Sequence, residues 1–411
     1  MKRRIAPLVA LVLGLPALTA LDACGAAMPA GSAATQAAAP FAVDRAAPVY
    51  KSLHLFKGGG DGANPYDALT PLNGSLYGVT YGDKLGSSGL GTVFRISASG
   101  EESVLYRFKG SPSDGAEPVG KLVAMNGMLY GTSYNGGAKN LGTVFAISPA
   151  GKEHLVYSFQ GGSDGTNPAA GLTVADGKFY GTTVDSGGAS QGDGTVFEVT
   201  PAGAEHVLHT FQGFPTDGES PYGQLLLVGN ELYGTTQNGG ANHDGTVFAM
   251  STAGKERFVY SFAGPPDGGL AIGGLIKVGA SFYGTTEDGG SANGGAIFKV
   301  SNAGKEQVVY SFKGQPLDGS TPRDSLVEVK GSLYGTTYDG GKNSMGSIFE
   351  TTTAGKEQML YSFKGEPKDG ANPFGGLVVL NGVLYGTALS GGFHTGGANH
   401  PYGGSVFKLT P

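Results

Sequence analysis

LYGTTYDGG, residues 333 to 341, belongs to a phrase the chain writes seven times, with its tyrosine at Tyr77, Tyr130, Tyr180, Tyr233, Tyr283, Tyr334 and Tyr385. The mean spacing of about 51 residues falls in the range of propellers, solenoids and arrays. Each copy sits inside a longer unit: a loop of the form DGxxP, an apolar run such as GGLVVLNG, the phrase itself, a GTVF segment, and a segment such as GKEHLVYSF. These are four strand-length stretches separated by turn residues, with nothing of helical period between them. Glycine makes up 75 of 411 residues, about 18%, against roughly 7% in average proteins, and it falls at fixed places rather than in a Gly-X-Y repeat. The sequence therefore predicts an all-β fold, a seven-bladed β-propeller of four-stranded antiparallel blades, which limits the exposed strand edges of an all-β chain.

Spacings within the unit sharpen this expectation. The Phe of VF and the Phe of SF are 14 residues apart in all six instances, as a hairpin with an invariant turn requires, and the Gly of the Gly-Lys-Glu turn supplies a positive φ. The step from the phrase's Tyr to the Phe of VF instead runs 17, 15, 17, 15, 15, 15 and 22 residues, so this loop is the variable one. In LYGTT, alternate side chains face opposite sides of a blade. The mid-strand Gly is expected where a neighbouring backbone comes close, and Thr adds β propensity and a hydroxyl for pairing. By resemblance to other propellers, the apolar run is innermost and the LVYSF segment outermost. The chain opens on an outer-type strand (Tyr50 to Phe56) and closes on a third-type strand (Ser405 to Thr410), so the N-terminal strand is expected to complete the last blade and close the ring.

Residues 1–23 read as a signal peptide: Lys2, Arg3 and Arg4, then an apolar run from Ile5 to Leu21. Cys24 is the single cysteine, and a lone thiol has no intramolecular disulfide partner. The segment LDAC resembles a bacterial lipobox through Leu21, Ala23 and Cys24, while Asp22 departs from the small or apolar residue preferred there. The resemblance implies lipid attachment at Cys24 and a cell-envelope lipoprotein at the outer membrane or cell surface. Ordinary cleavage within residues 26 to 39 is the alternative, leaving a secreted protein. Residues 24–48 are an Ala/Pro/Gly-rich tether, and 49–411 are the propeller. The net charge is −6, and removing the leader with Lys2, Arg3, Arg4 and Asp22 leaves 24 basic against 32 acidic side chains. Such a balance argues against nucleic-acid binding. No later stretch reaches the apolar length of a membrane helix, so the expected membrane contact is the lipid on Cys24.

The motif G-x-LYGTT-x-x-GG-x-x-x-x-GTVF resembles the GloVer tandem repeat of exported bacterial proteins that differ in how they are anchored, over about residues 49 to 411. That resemblance implies an exported, surface-associated repeat protein, with no established reaction and no catalytic residues to carry over.

Residues repeated in every unit are expected to serve the blade, and residues that break the repetition are the site candidates. The Asp of the DG pairs (Asp61, Asp114, Asp164, Asp217, Asp267, Asp318 and Asp369) reads as a turn residue accepting backbone hydrogen bonds. The sharpest break is SGGFHTGGANHPYGGS, residues 390–405, which holds His394, His400 and Tyr402, and whose GGANH repeats the GGANH ending at His243. These four are the candidate ligand-binding residues. Two histidines with no Cys or acidic neighbour make a poor metal set, so neither metal nor cofactor is expected. His54 and His209 replace the outer-strand Tyr and read as structural. GGSDG around Ser163 fits a G-x-S-x-G pattern but lies between strands, not at a strand-to-helix elbow. The leading expectation is a monomeric, non-enzymatic scaffold binding a protein or glycan partner, with a glycan hydrolase or lyase at the channel mouth as its rival and a purely structural envelope protein as a third reading.

Overall fold

The computed structural model describes residues 46–82, 89–186, 193–392 and 403–411. Among them the strands form seven four-stranded antiparallel sheets, the blades of a seven-bladed β-propeller. Blades 1 to 6 take their four strands in chain order from the sequence units. Blade 7 combines Val378–Leu380, Val383–Ala388 and Ser405–Thr410 with the first strand, Val49–Leu55, which pairs antiparallel to Ser405–Thr410 from Val49 against Thr410 to Leu55 against Ser405. The predicted closure is thus the observed one.

Seven hydrophobic clusters fill the seven seams, each drawing residues from two adjacent blades. Across every seam the Phe of one blade's SF segment meets the Phe of the next blade's VF segment edge to face, as in Phe312 on Phe349 with centroids 5.1 Å apart. Phe56, just past the first strand, makes this contact to Phe94 at 5.2 Å, so the N-terminal segment supplies blade 7's missing ring.

The mid-strand glycine of the phrase has a different cause from the one the sequence suggested. Gly335 pairs with Phe349 across the blade, and a Cβ there would stand 2.6 Å from the Phe349 ring and 2.9 Å from Leu326. The close neighbour is a buried aromatic side chain, not backbone. Gly335→Ala is therefore expected to cost about 1–3 kcal/mol by overpacking, whereas Gly60→Ala, with nothing within 4 Å of its Cβ, should be nearly neutral. Urea melts of the two variants check this, and equal costs would refute the ring contact as the constraint.

The two threonines also divide their work. The first reaches to the next blade, as Thr285 donates to the Asp324 carbonyl (2.9 Å) and Thr387 to the Asp67 carbonyl (3.0 Å). The second pairs within the blade, as the Thr236 and Thr246 hydroxyls do at 2.8 Å. The innermost strands are shorter than the apolar runs predicted, only three residues in six of the blades, for example Val327–Val329. In blades 4 to 7 the DG loop instead pairs briefly with the loop after the phrase, as Gly319–Ser320 does with Asp339–Gly340. In all seven blades, residues that follow this loop line the central channel.

Candidate functional site

Three residues separate the loop's proline, replaced by Ala271 in unit 5, from the leucine that leads into each inner strand. The middle one is small in five units: Gly120, Ala170, Gly223, Gly273 and Gly375. Backbone crowding explains this, because a Cβ on Gly273 would lie 2.7 Å from the Asp324 carbonyl carbon and one on Gly375 would lie 2.4 Å from that of Asp67. Units 1 and 6 break the rule with Asp67 and Asp324 themselves. Their side chains meet over the glycines of blade 7 and share a hydrogen bond.

Donors converge on Asp324. Its Oδ1 accepts from the Ser325 N–H (2.5 Å) and the Ser325 hydroxyl (3.0 Å), and its Oδ2 accepts from the Gly376 N–H of blade 7. Asp67 receives the Ala68 N–H. Burial raises both carboxyls above the usual range, and the neighbouring Asp324 charge pushes Asp67 further, to about 8, with Lys121 opposing. Because Asp324 holds most of the donors, it is the ionised partner, and Asp67 carries the shared proton and donates it to Asp324.

The pair lies on the wall of a cavity of about 400 Å³ along the propeller axis, with Tyr66, Lys121, Tyr222, Gln224, Arg323 and Phe374 among its lining residues. Deeper in the channel the lining turns apolar, through Leu227, Ile276, Val327 and Val379. The Tyr66 ring leans on Phe374 (centroids 4.5 Å) and stacks with Tyr81 (5.4 Å). Arg323 lies 4.1 Å from the centroid of Tyr338 and pairs with Glu287 at 2.5 Å, which neutralises it. Burial raises the Tyr66 and Tyr222 hydroxyls, so both remain neutral donors. A chamber of this size, with aromatic side chains on its wall and a few convergent polar groups, has the form of a small-ligand site.

His243 lies elsewhere. It is 54% exposed on a loop of blade 4, with Nδ1 3.5 Å from Glu219 and its ring edge-on to Phe214, and it does not line the chamber. His394, His400, Tyr402 and Cys24 lie outside the described residues. The repeated Asp residues serve the blades: Asp114 accepts the Lys109 N–H (2.8 Å), the Gly115 N–H (2.7 Å) and the Tyr106 hydroxyl (2.8 Å). His209 takes the tyrosine's place at Asp217, 3.1 Å away. Beside these Asp residues sit the glutamates of the Gly-Lys-Glu turns and their counterparts, and Glu102, Glu153, Glu205, Glu256, Glu306 and Glu357 each bury an Oε1 without a hydrogen-bond partner. Burial first, and then the neighbouring Asp charge, lifts Glu205 to about 8 and Glu306 and Glu357 to about 7. Among the described residues no group of three or more His, Cys, Asp and Glu is gathered as a metal site.

Asp67 and Asp324 escaped the sequence reading because it sought broken symmetry in the longest loop. The same comparison, made down the column two residues after the loop's proline, finds them at once.

The structure thus defines a closed seven-bladed propeller with one asymmetric polar chamber on its axis. The chain belongs to the Gloeobacter/Verrucomicrobia repeat family, whose model matches residues 29–193 and 176–400. No curated protein matches. Among solved structures, puromycin hydrolase is similar at TM-score 0.51 and 12% identity, covering 80% of this chain and 50% of that one. The computationally designed Ika8 protein matches at TM-score 0.46 and 14% identity, with 86% and 98% covered. A gluconolactonase from Xanthomonas campestris matches at TM-score 0.39 and 14% identity, with 74% and 86% covered. At these identities the likeness concerns the fold alone.

Proposed function

We propose that the protein is an exported binding propeller, held at the cell envelope by a lipid on Cys24, that takes a glycan partner at its channel mouth. The observation that carries the reading is that Asp67 and Asp324, the two acidic exceptions in a column of small residues, meet in one chamber whose wall also holds Tyr66, Tyr222 and Phe374. Aromatic side chains on the wall, Tyr66, Tyr222 and Phe374, suit the C–H groups of sugars, and hydroxyl and carboxyl groups beside them suit sugar hydroxyls. A glycoside hydrolase working through Asp67 and Asp324 is disfavoured. Its two carboxyls would stand roughly 5 Å or more apart to flank a glycosidic bond, and these two are hydrogen-bonded to one another.

Thermal unfolding with a panel of mono- and oligosaccharides tests the binding reading. A ligand at 100 times its Kd stabilises the native state by about 2.7 kcal/mol, and an unshifted melt across the panel would remove glycans as the ligand class. The anchor is tested separately by metabolic labelling with an alkyne fatty acid. Label should be found on the wild type and be lost in Cys24→Ala, and an unlabelled wild type would make the protein a secreted one.

A further inference from the structure

We propose that Asp67 and Asp324 are the ligand-reading element of the chamber, and that through one shared proton they select an uncharged vicinal diol of a sugar ring. This inference rests on the glycan-binding reading above and adds which group on the glycan is read, and by what.

A vicinal diol offers two hydroxyls, each a donor and an acceptor. An ionised carboxylate only accepts, and a protonated one also donates. A carboxyl pair holding a single proton therefore presents both functions side by side, as a diol needs. Asp324 is already filled by Ser325, Gly376 and Asp67, whereas Asp67 has one backbone donor, Ala68. Asp67 is accordingly the side chain with capacity left for a ligand. Its backbone is fixed by the Thr387 hydroxyl on its carbonyl and by the close approach of Gly375, which positions the carboxyl without a ligand's help.

Charge decides between sugar classes. The singly protonated pair carries one negative charge, Lys121 in the same chamber carries one positive charge that acts on Asp67, and Arg323 is neutralised by Glu287. The chamber is close to neutral, so a uronate or an amino sugar would bring an unbalanced charge beside a buried carboxyl pair, which is unfavourable. The groups facing the pair are Lys121, Arg323, Tyr66 and Tyr222. The two tyrosines are held neutral by burial. Raising the pH through the range where Asp67 ionises turns the pair into a dianion, removes its proton and leaves a diol facing two acceptors. Affinity for a neutral sugar should then fall, by about tenfold for each further pH unit once the proton is lost.

The test is calorimetric titration of the full-length protein with glucose, galactose, mannose, cellobiose, glucuronate and glucosamine at pH 6.5 and 9.5. The wild type is expected to bind at least one neutral sugar at least tenfold tighter than glucuronate or glucosamine at pH 6.5, and to lose at least tenfold of that affinity at pH 9.5. Asp67→Asn keeps a permanent N–H toward Asp324 that does not titrate. It should bind three- to tenfold more weakly at pH 6.5 but show no further loss at pH 9.5. A neutral sugar bound equally at both pH values, a preference for glucuronate or glucosamine, or an unchanged pH slope in Asp67→Asn would overturn the inference while leaving glycan binding standing. Binding of none of the six sugars would overturn both. The wild-type comparison decides the matter even where Asp67→Asn does not fold.

Discussion

Removing Val49–Leu55 is expected to leave a chain that unfolds about 10 °C lower or aggregates on purification. The strand pairs six positions with Ser405–Thr410, and its loss strips blade 7 of its outer edge. Tyr50 adds a hydroxyl bond to Asp369 (2.6 Å) and a stack on Tyr361 with centroids 3.7 Å apart. Roughly five ladder hydrogen bonds at about 1 kcal/mol each, with about 2–3 kcal/mol for the packing of Tyr50, convert to a shift of this order at somewhat over 1 °C per kcal/mol in a propeller of this size. The uncovered edge of Ser405–Thr410 is also a template for pairing with another chain. Differential scanning calorimetry and size-exclusion chromatography of the deletion variant provide the check. A monomer melting with the wild type would show that the ring closes without its first strand.

The second large effect is on pH. Glu205, Glu306 and Glu357 hold folded-state pKa values of about 8, 7 and 7, raised by burial and by Asp164, Asp267 and Asp318 respectively. An unfolded glutamate titrates near 4.3. A raised folded value means the folded state binds the proton more tightly, so this contribution is fully present below about 4.3 and is lost as pH rises through 7 to 8. Asp67 acts in the same direction. Glu231, lowered by its hydrogen bonds from Tyr233 and Arg257, acts oppositely, but its contribution is lost only on acidification below about 4. The melting temperature should therefore fall steadily from pH 5.5 to 8.5. The triple variant Glu205→Gln, Glu306→Gln and Glu357→Gln, which keeps neutral side chains of the same shape at three seams, should flatten the slope. A wild-type profile that is level or rising across this window would contradict the assigned protonation.

The blade count and the ring closure were legible in the sequence because both rest on local regularity: a recurring phrase, an invariant 14-residue step and an offset between the first and last strand. What failed to appear there depends on contacts between units. Gly335 reads as a gap for backbone until the register places Phe349 opposite it. The threonine pair looks uniform, yet Thr285 serves the next blade while Thr236 serves its own. Asp67 and Asp324 lie five units apart along the chain and meet only because the ring brings blades 1 and 6 to either side of blade 7. No spacing rule along the chain expresses that meeting. His243 drew attention through a local echo of residues 396–400, but the fold carries it to an exposed rim beside Glu219.

Register partners Val49 and Thr410 set the first and last strands of the ring side by side. A short flexible linker could join these two points without disturbing a blade, and new ends could be opened in any of the Gly-Lys-Glu hairpins, such as the one between Ser301 and Glu306. In such a circular permutant blade 7 would be continuous and blade 5 would become the composite one. The seam therefore belongs to the place where the chain is cut, and sevenfold packing leaves the fold indifferent to which blade carries it.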